Sequence, residues 1–391
     1  MLHNFDKVID RRGSSCVKWD ALPPFEEAVD TSDVIPMWVA DMDFEVCPHI
    51  VEALESRMAH HIYGYSCPDE AYWQSIIDWQ ARRNGFHFTR DEVDYVPGVV
   101  KGIGFAVNYF TERGDKVVIQ PPVYHPFKMV IEGNGRQVIN NPLKRSGDTY
   151  SMDLEGLEQI FIEHRPRMLI LCNPHNPIGI IWGKEVLASL ASLCRRYGVI
   201  VVSDEIHGDL GLFGNQHVPF ATVSEDAAAI SVTFGAPSKT FNIPGLVSSW
   251  TVVKNPEMRR GFFGWLAANE FDEPTFVATI ATEAAYTRAE GWLAAAKKYI
   301  EENILAVERY CADNLPGIHP IRPQASFLVW LDCSGLNLNH EQLINLFVNR
   351  AGLALNDGEM FGAEGAHCMR LNVGTNRARI MQALEQLRSA L

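Results

Sequence analysis

Short runs of apolar residues recur through the middle of the chain and predict the strands of a buried sheet. These runs occupy Val117–Ile119, Met168–Cys172, Val199–Val202 and Ile230–Phe234. Each is apolar at consecutive positions instead of alternating with polar residues, a pattern that is typical of strands covered on both faces. We therefore expect these segments to pair as a parallel sheet.

A helical pattern separates two of these runs. Apolar side chains recur there at the spacing of one helix face, at Val186, Leu190, Leu193, Cys194 and Tyr197. Gly198 follows and is the residue type that most often ends a helix. A strand, a helix and a strand in succession indicate a doubly wound α/β fold.

The C-terminal part of the chain has a different pattern. Phe327–Leu331 and Cys368–Val373 are predicted strands. Helical patterns follow them at about 340–351 and 376–390. This order predicts a smaller α+β unit, to which we add the N-terminal segment.

The length of 391 residues exceeds one average domain and suits two or three lobes. No Ser/Gly-rich linker divides the sequence. We predict a large domain over residues 48–290 and a small domain formed by residues 1–47 and 291–391.

Charge and composition argue against several classes of protein. The formal net charge is −14, which disfavours nucleic acid and anionic membranes as partners. The longest apolar runs fall short of the ~20 residues that a membrane span needs, and the N-terminus lacks the apolar stretch of a signal peptide. We therefore expect a cytoplasmic protein. None of the eight cysteines forms a CxxC pair and no HExxH motif is present, so no metal site is predicted.

Side chains with distinct chemistry follow three of the predicted strands. Asn176, Asp204 and Lys239 each come a few residues past the end of a different strand. Ligands of open α/β sheets bind beyond the carboxyl ends of the strands, so we expect these groups to converge. An amide, a carboxylate and an amine fit a pyridine aldehyde: the amine forms a Schiff base, the carboxylate pairs with the ring nitrogen and the amide binds the ring oxygen.

A further candidate feature lies at Val93–Pro97, which is a short predicted strand. Gly98 permits a turn there, and a helical pattern begins near Val99. The free amides at the start of such a helix can hold a phosphate group.

Longer strings extend this pattern to both ends of the chain. They are Asn4 to Arg11, Lys18-Trp19-Asp20, Ala40-Asp41-Met42-Asp43-Phe44, Tyr63-Gly64-Tyr65-Ser66, Asn173 to Pro177, Ser203 to His207, Ser238 to Gly245 and Arg370 to Val373. Together they resemble the class I and II aminotransferases of fold type I. More narrowly they resemble the MalY/PatB branch, of the cystathionine β-lyase or C–S lyase type. The resemblance covers essentially the whole chain.

This resemblance implies the cofactor pyridoxal 5'-phosphate (PLP) and a large domain with a mostly parallel seven-stranded sheet sandwiched by helices. Lys239 would carry the cofactor as a Schiff base and move the α-proton of the substrate, while Asp204 keeps the pyridine nitrogen protonated. Asn176 would bind the phenolic oxygen, and Tyr124 would stack on the ring. The further residues implied at the cofactor are the amides of Val99 and Val100, Ser238 and His207.

The resemblance also implies a substrate subsite and a second subunit. Arg370 would hold the α-carboxylate of an amino acid with two parallel N–H groups, and Ala40 would lie beside the substrate. Tyr65 would reach the active site of the neighbouring subunit and contact its cofactor phosphate. The active unit would therefore be a homodimer with its active sites at the interface.

Four positions depart from patterns in the wider family. His207 stands where aminotransferases usually have Tyr, as it does in the lyase branch, and Ile178 stands where many relatives have Thr. Ala236 and Val247 replace the Ser and Arg of classical aspartate aminotransferases. Two phosphate ligands are therefore missing or supplied by other residues.

The predicted activity is α,β-elimination from L-cystathionine or a similar cysteine S-conjugate, which gives pyruvate, ammonia and a thiol. An aminotransferase of a small amino acid is the first alternative, because it shares every step up to the loss of the α-proton. A PLP-binding regulatory protein with vestigial catalysis is the second. A PLP-independent α/β binding protein is the third. Sequence alone leaves the leaving group and the physiological substrate open.

Overall fold

A computed structural model describes residues 3–23 and 33–391. The strands are β1 Ile35–Pro36, β2 Val93–Val96, β3 Lys116–Ile119, β4 Gln137–Asn140, β5 Lys144–Ser146, β6 Thr149–Ser151, β7 Met168–Cys172, β8 Ile200–Asp204, β9 Ser231–Gly235, β10 Ser249–Val252, β11 His319–Ile321, β12 Leu328–Asp332, β13 Leu353–Ala354, β14 Asn356–Asp357 and β15 Cys368–Asn372. The helices are α1 Val17–Asp20, α2 Pro48–Met58, α3 Glu70–Asn84, α4 Val99–Phe110, α5 Pro126–Gly133, α6 Leu154–His164, α7 Lys184–Tyr197, α8 Glu225–Ile230, α9 Pro237–Thr240, α10 Pro256–Ala268, α11 Phe276–Arg288, α12 Glu290–Asn314, α13 His340–Ile344 and α14 Arg377–Ala390.

The central feature of the described residues is a seven-stranded sheet with the order β2-β10-β9-β8-β7-β3-β4. Strands β9, β8, β7, β3 and β4 pair in parallel, while β10 runs antiparallel to both of its neighbours. The four apolar runs of the sequence form β3, β7, β8 and β9, within one or two residues of the predicted bounds. The prediction of a mostly parallel α/β sheet is confirmed.

Helices cover both faces of this sheet, which explains why its strands are apolar at consecutive positions. On β7, Leu169 and Leu171 pack into one apolar cluster, which includes side chains of α6, α7 and α8. Met168, Ile170 and Cys172 pack into a second cluster on the opposite face, with α4, α5 and α10. Helix α7 ends at Gly198 in the left-handed conformation (φ 68°), as the sequence predicts.

Helix α4 packs closely on the sheet and begins at its edge. Gly98 precedes the helix with φ 108°, a conformation that favours glycine. A Cβ atom on Gly102, one turn further along, would lie 2.6 Å from the Phe234 ring of β9. The absence of a side chain at Gly102 therefore lets the helix approach the strand, and it sets the first turn of α4 beside the ends of β8 and β9.

A second sheet of four strands, with the order β11-β12-β15-β14, is antiparallel throughout. It packs with α12, α13 and α14, and a third apolar cluster joins these elements to the N-terminal segment and to α2, α3 and α11. The N-terminal strand β1 pairs with β13. The predicted strands at Phe327–Leu331 and Cys368–Val373 are β12 and β15, and the predicted C-terminal helices are α13, which continues as a π-helical turn over Asn345–Arg350, and α14. The division at residues 48 and 290 stays a prediction; α12 begins at the second of these positions.

Among the described residues, no helix combines the length and the apolar character that crossing a bilayer would require.

Candidate active site

A cavity of about 300 Å³ opens at the carboxyl ends of β7, β8 and β9. The predicted site residues that line it are Ala40, Val99, Val100, Tyr124, Asn176, Asp204, His207, Ser238 and Lys239. The expected convergence at the strand ends is therefore present in the structure. The roles of the individual residues stay predictions.

Lys239 lies in the short helix α9, directly after β9. Its Nζ donates a hydrogen bond to the backbone oxygen of Ala40 at 2.6 Å. Burial, helped by the charge of Arg370, lowers the pKa of this amine to about 8, although Asp41 and Asp204 act in the opposite direction. The amine is therefore far easier to deprotonate than that of a solvated lysine, whose pKa is about 10.4.

Asp204 is the last residue of β8 and is buried. Its Oδ1 accepts a hydrogen bond of 3.1 Å from the amide of Ile206. Burial raises the pKa of the carboxyl group to about 7, although that hydrogen bond and the charge of Lys239 both oppose the shift. A buried carboxylate at the wall of a cavity is stabilised by a cation placed in that cavity.

Arg370 of β15 reaches the same region from the small sheet and is buried. It donates hydrogen bonds to the side-chain oxygens of Asn176, at 2.9 Å, and Asn356, and to the backbone oxygen of Trp38 at 3.0 Å. Within the described residues no acidic side chain forms an ion pair with it, and its Nε makes no hydrogen bond. Burial lowers its pKa to about 10. A buried cation whose partners are neutral is suited to an incoming carboxylate.

The contact between Arg370 and Asn176 also orients the amide. A guanidinium group only donates hydrogen bonds, so the atom of Asn176 that faces it must be the oxygen. The NH₂ group of Asn176 then points away from Arg370, and Asn176 lines the cavity. The amide is therefore available as a donor to a ligand oxygen, as the sequence predicts.

Tyr124 and His207 border the cavity as neutral groups. Burial raises the pKa of the Tyr124 hydroxyl, so it stays protonated. Burial, with the charges of Lys239 and Arg370, lowers the pKa of His207 to about 3. The imidazole of His207 is therefore uncharged at neutral pH and packs edge-on to Phe327 at a ring distance of 6.3 Å.

The start of α4 forms the far end of the cavity, where the sequence predicts a phosphate site. Val99 and Val100 lie there, and the buried Ser238 approaches from α9. Lys101, Ser248 and Ser249 also line the cavity, and the sequence analysis missed them. Lys101 could have been found from its place in the first turn of the predicted helix, whereas the two serines are brought in by β10, which the sequence analysis did not identify.

Two predicted residues do not line the cavity: Arg370 lies behind Asn176, whereas Tyr65 lies elsewhere in the structure. Its side chain is fully exposed and it is absent from the walls of the cavity in its own chain. The exposed side chains of Ile62 and Tyr63 lie in the same segment. This position agrees with the expectation that Tyr65 serves a neighbouring subunit, which stays a prediction.

Comparisons with known proteins agree with this architecture. The sequence profile of the family "Aminotransferase class I and II" matches residues 32–387. Cystathionine β-lyase PatB of Bacillus subtilis (strain 168) is 41% identical over 99% of this chain and 100% of its own length. Protein MalY of Escherichia coli (strain K12) is 31% identical over 100% of this chain and 99% of its own.

A solved structure resembles the whole chain. The crystal structure of cystalysin from Treponema denticola, which contains a pyridoxal 5'-phosphate cofactor, superposes with a TM-score of 0.95 at 31% identity. The match covers 100% of this chain and 99% of cystalysin. The expected fold type I is therefore confirmed. The chain belongs to the class I and II aminotransferase family, in the branch that contains PatB and MalY.

Proposed function

We propose that this protein is a PLP-dependent carbon–sulfur β-lyase that converts L-cystathionine or a similar cysteine S-conjugate to pyruvate, ammonia and a thiol. The observation that carries the proposal is the cavity in which the buried Lys239 amine and the buried Asp204 carboxylate meet, with Arg370 behind Asn176. The similarity of the chain to PatB, a cystathionine β-lyase, supports the choice of reaction. The PLP present in cystalysin supports the choice of cofactor.

The residues that line the cavity fit PLP group by group. The Lys239 amine, with its lowered pKa, suits covalent attachment of the aldehyde carbon. Among the described residues no cation lies within hydrogen-bonding distance of Asp204, and a protonated pyridine nitrogen would supply one. The NH₂ group of Asn176 can donate to the phenolic oxygen. The amides of Val99 and Val100, with Lys101, can hold the phosphate.

When bound, PLP supplies a conjugated ring that accepts the electron pair left behind when a proton departs from the α-carbon of the substrate. Lys239 is the base that removes this proton. With a pKa of about 8, roughly a tenth of the free amine is unprotonated at pH 7, compared with less than about 0.1% for a solvated lysine. Asp204 would place a negative charge beside the ring nitrogen and so favour its protonated, electron-accepting form.

Arg370 and Tyr124 orient the substrate and the ring. Arg370 binds the α-carboxylate because its other partners, Asn176, Asn356 and the Trp38 carbonyl, leave its charge unneutralised. Tyr124 would pack against the face of the PLP ring, and its protonated hydroxyl would remain a donor. Ala40 closes the substrate side of the cavity. His207 lines the same cavity as Asp204 and is neutral, so it carries no charge that would compete for that carboxylate.

The proposed active unit is a homodimer in the cytoplasm. Tyr65 is fully exposed in the single chain, so it can enter the active site of a second copy and contact the phosphate there. The large domain over residues 48–290 supplies the PLP site. The small domain, residues 1–47 and 291–391, supplies Ala40 and Arg370. Substrate binds between the two.

The reaction is tested by incubating the PLP-loaded protein with L-cystathionine and no keto acid, and measuring pyruvate, ammonia and thiol. We expect the three products in equal amounts. Lys239→Ala should lower turnover by more than about 10³-fold, because both the attachment point and the base are lost. Lys128→Ala, at an exposed lysine on α5, is the matched control and should keep full activity. Consumption of L-cystathionine only when a keto acid is added, without release of thiol, would instead establish an aminotransferase. No consumption with or without a keto acid would favour a regulatory protein.

The state of the Lys239 amine predicts a pH dependence. In cofactor-free protein, acylation of Lys239 by a small reagent, followed by mass spectrometry, should rise with pH through a midpoint of about 8, because burial favours the neutral amine. Acylation of the exposed Lys128 in the same sample provides the internal comparison. Identical midpoints for the two lysines would contradict the proposed role.

The role of Arg370 predicts a defect in substrate binding. Arg370→Lys keeps the charge but removes the two parallel N–H groups that match a carboxylate, so KM for L-cystathionine should rise about 10- to 100-fold. Arg322→Lys, at an exposed arginine paired with Glu308, should leave KM within about twofold. A KM of the Arg370 variant equal to that of the parent would show that the carboxylate binds elsewhere.

A further inference from the structure

The segment Ala40–Asp43 carries the only hydrogen-bond acceptor that the described part of the chain offers to the Lys239 amine. This acceptor is the backbone oxygen of Ala40, 2.6 Å from Nζ. A backbone carbonyl cannot move independently of its chain, so the position of this oxygen depends on how the segment is held. The contacts that hold the segment therefore bear on where the amine points.

Two amide side chains fix the backbone of this segment. Asn242, three residues after Lys239, accepts from the amide of Met42 at 2.8 Å and donates to the carbonyl oxygens of Met42 and Phe44 at 2.9 Å. Asn372 of β15 donates to the carbonyl oxygens of Val39 at 2.6 Å and Asp41 at 2.7 Å. The segment is thus tied both to the loop that carries Lys239 and to the strand that carries Arg370.

Two cations of the N-terminal segment complete the attachment. Arg11 forms a two-point contact with the carboxylate of Asp41, at 2.7 and 3.0 Å, and also donates to Asp43 at 2.8 Å. The fully buried Lys18 lies 3.2 Å from Asp43 and donates to the backbone oxygen of Asp41 at 3.3 Å. Arg379 of α14 adds a contact to Asp43 at 3.3 Å.

This cluster is held strongly because its charges are desolvated and paired. Burial alone would raise the pKa of Asp43, but Lys18, Arg11 and Arg379 outweigh it and lower the pKa to about 2. Removing one partner of such a cluster leaves an uncompensated charge in the interior, which is costly. The N-terminal segment is therefore attached at this point and is well placed to control the backbone beneath it.

We propose that Arg11 and Lys18 are positioning residues for Lys239. They hold the Ala40–Asp43 segment so that the Ala40 carbonyl receives one N–H of the amine whenever the amine is free, and their positive charges offset that of Asp41 beside it. This inference rests on the proposed function in one respect: the amine is free during turnover only if the amino group of the substrate replaces that of Lys239 on the cofactor.

The consequence for the amine is both geometric and electrostatic. A neutral amine has two N–H groups and one lone pair, so donation to Ala40 fixes one direction and leaves the lone pair for the cavity. The charged groups that face it are Asp41, Asp204 and Arg370, and the neutral side chains of His207 and Tyr124 complete the surroundings. Asp41 raises the pKa of Lys239. Arg11 is paired with Asp41, so its positive charge should weaken that effect.

Two variants separate a positioning role from a merely structural one. Arg11→Gln and Asp41→Asn weaken the same contact, so both should speed amide hydrogen exchange in residues 40–43 by about tenfold or more. Their effects on charge are opposite. In cofactor-free protein, the midpoint of Lys239 acylation should rise by about half a pH unit in Arg11→Gln and fall by a similar amount in Asp41→Asn.

Control variants complete the experiment. Arg12→Gln alters the adjacent arginine, whose partner is the exposed Asp10. It should change neither the amide hydrogen exchange of residues 40–43 nor the midpoint of Lys239 acylation. Arg11→Lys keeps the charge but loses the two-point contact, so exchange should rise while the midpoint stays within about 0.2 unit. If Arg11→Gln does not fold, the inference is tested by the faster exchange expected in Arg11→Lys and by the lower midpoint expected in Asp41→Asn.

Shifts in the same direction for the two charge variants, or no shift, would overturn the inference. The titration needs neither substrate nor cofactor, so its outcome is independent of the cystathionine assay. If the lyase proposal is wrong, pyruvate, ammonia and thiol will not form. If this inference is wrong but the lyase proposal is right, the products will form and the acylation midpoints of Lys239 in Arg11→Gln and Asp41→Asn will not move in opposite directions.

Discussion

The removal of water from a few charged groups at one edge of the sheet governs this site. Lys239 and Asp204 are buried at the wall of one cavity, and Arg370 is buried behind Asn176 of that wall. For each of the three, burial is the largest influence on the pKa and favours the neutral form. None of the three forms an ion pair with another described side chain. An interior that pairs Lys18 with Asp43 a short distance away could have paired these groups too. In the proposed function, ligand groups fill these roles: a pyridinium nitrogen would pair with Asp204, an α-carboxylate would pair with Arg370, and the neutral amine of Lys239 would bond to an aldehyde carbon.

The fold supplies this arrangement through two separate sheets. The parallel strands β7, β8 and β9 place Asn176, Asp204 and Lys239 at their carboxyl ends, where α4 also begins. The small sheet contributes Arg370 from β15, and the N-terminal segment contributes Ala40. The hydrogen bonds of Arg370 to Asn176 and of Lys239 to Ala40 cross between these units. A substrate carboxylate on Arg370 would therefore lie against the ring held by the large sheet, and a small shift of either unit would alter both contacts at once.

The part of the site that follows directly from strands could be predicted from the sequence. Continuous apolar runs identified β3, β7, β8 and β9, and parallel strands bring their ends together, so Asp204 and Lys239 were expected to meet. Arg370 and Ala40 were placed only through resemblance to a known family, because nothing in the local pattern connects residues that are 330 positions apart in the sequence. Ser248 and Ser249 were missed because β10 runs antiparallel and was not identified. Nothing in the sequence around Lys18 indicates that this lysine is buried. Its burial depends on ion pairs with Asp41 and Asp43, which are distant in the sequence.

The central claim is that the cofactor is bound to the amine of Lys239. The most direct measurement is reduction of the purified, PLP-loaded protein with borohydride, followed by proteolysis and mass mapping of the modified peptide. The account predicts a single reduced adduct on the peptide that contains Lys239. A reduced adduct on any other lysine would contradict it. So would a Lys239 peptide that stays unmodified after borohydride treatment of the PLP-loaded protein.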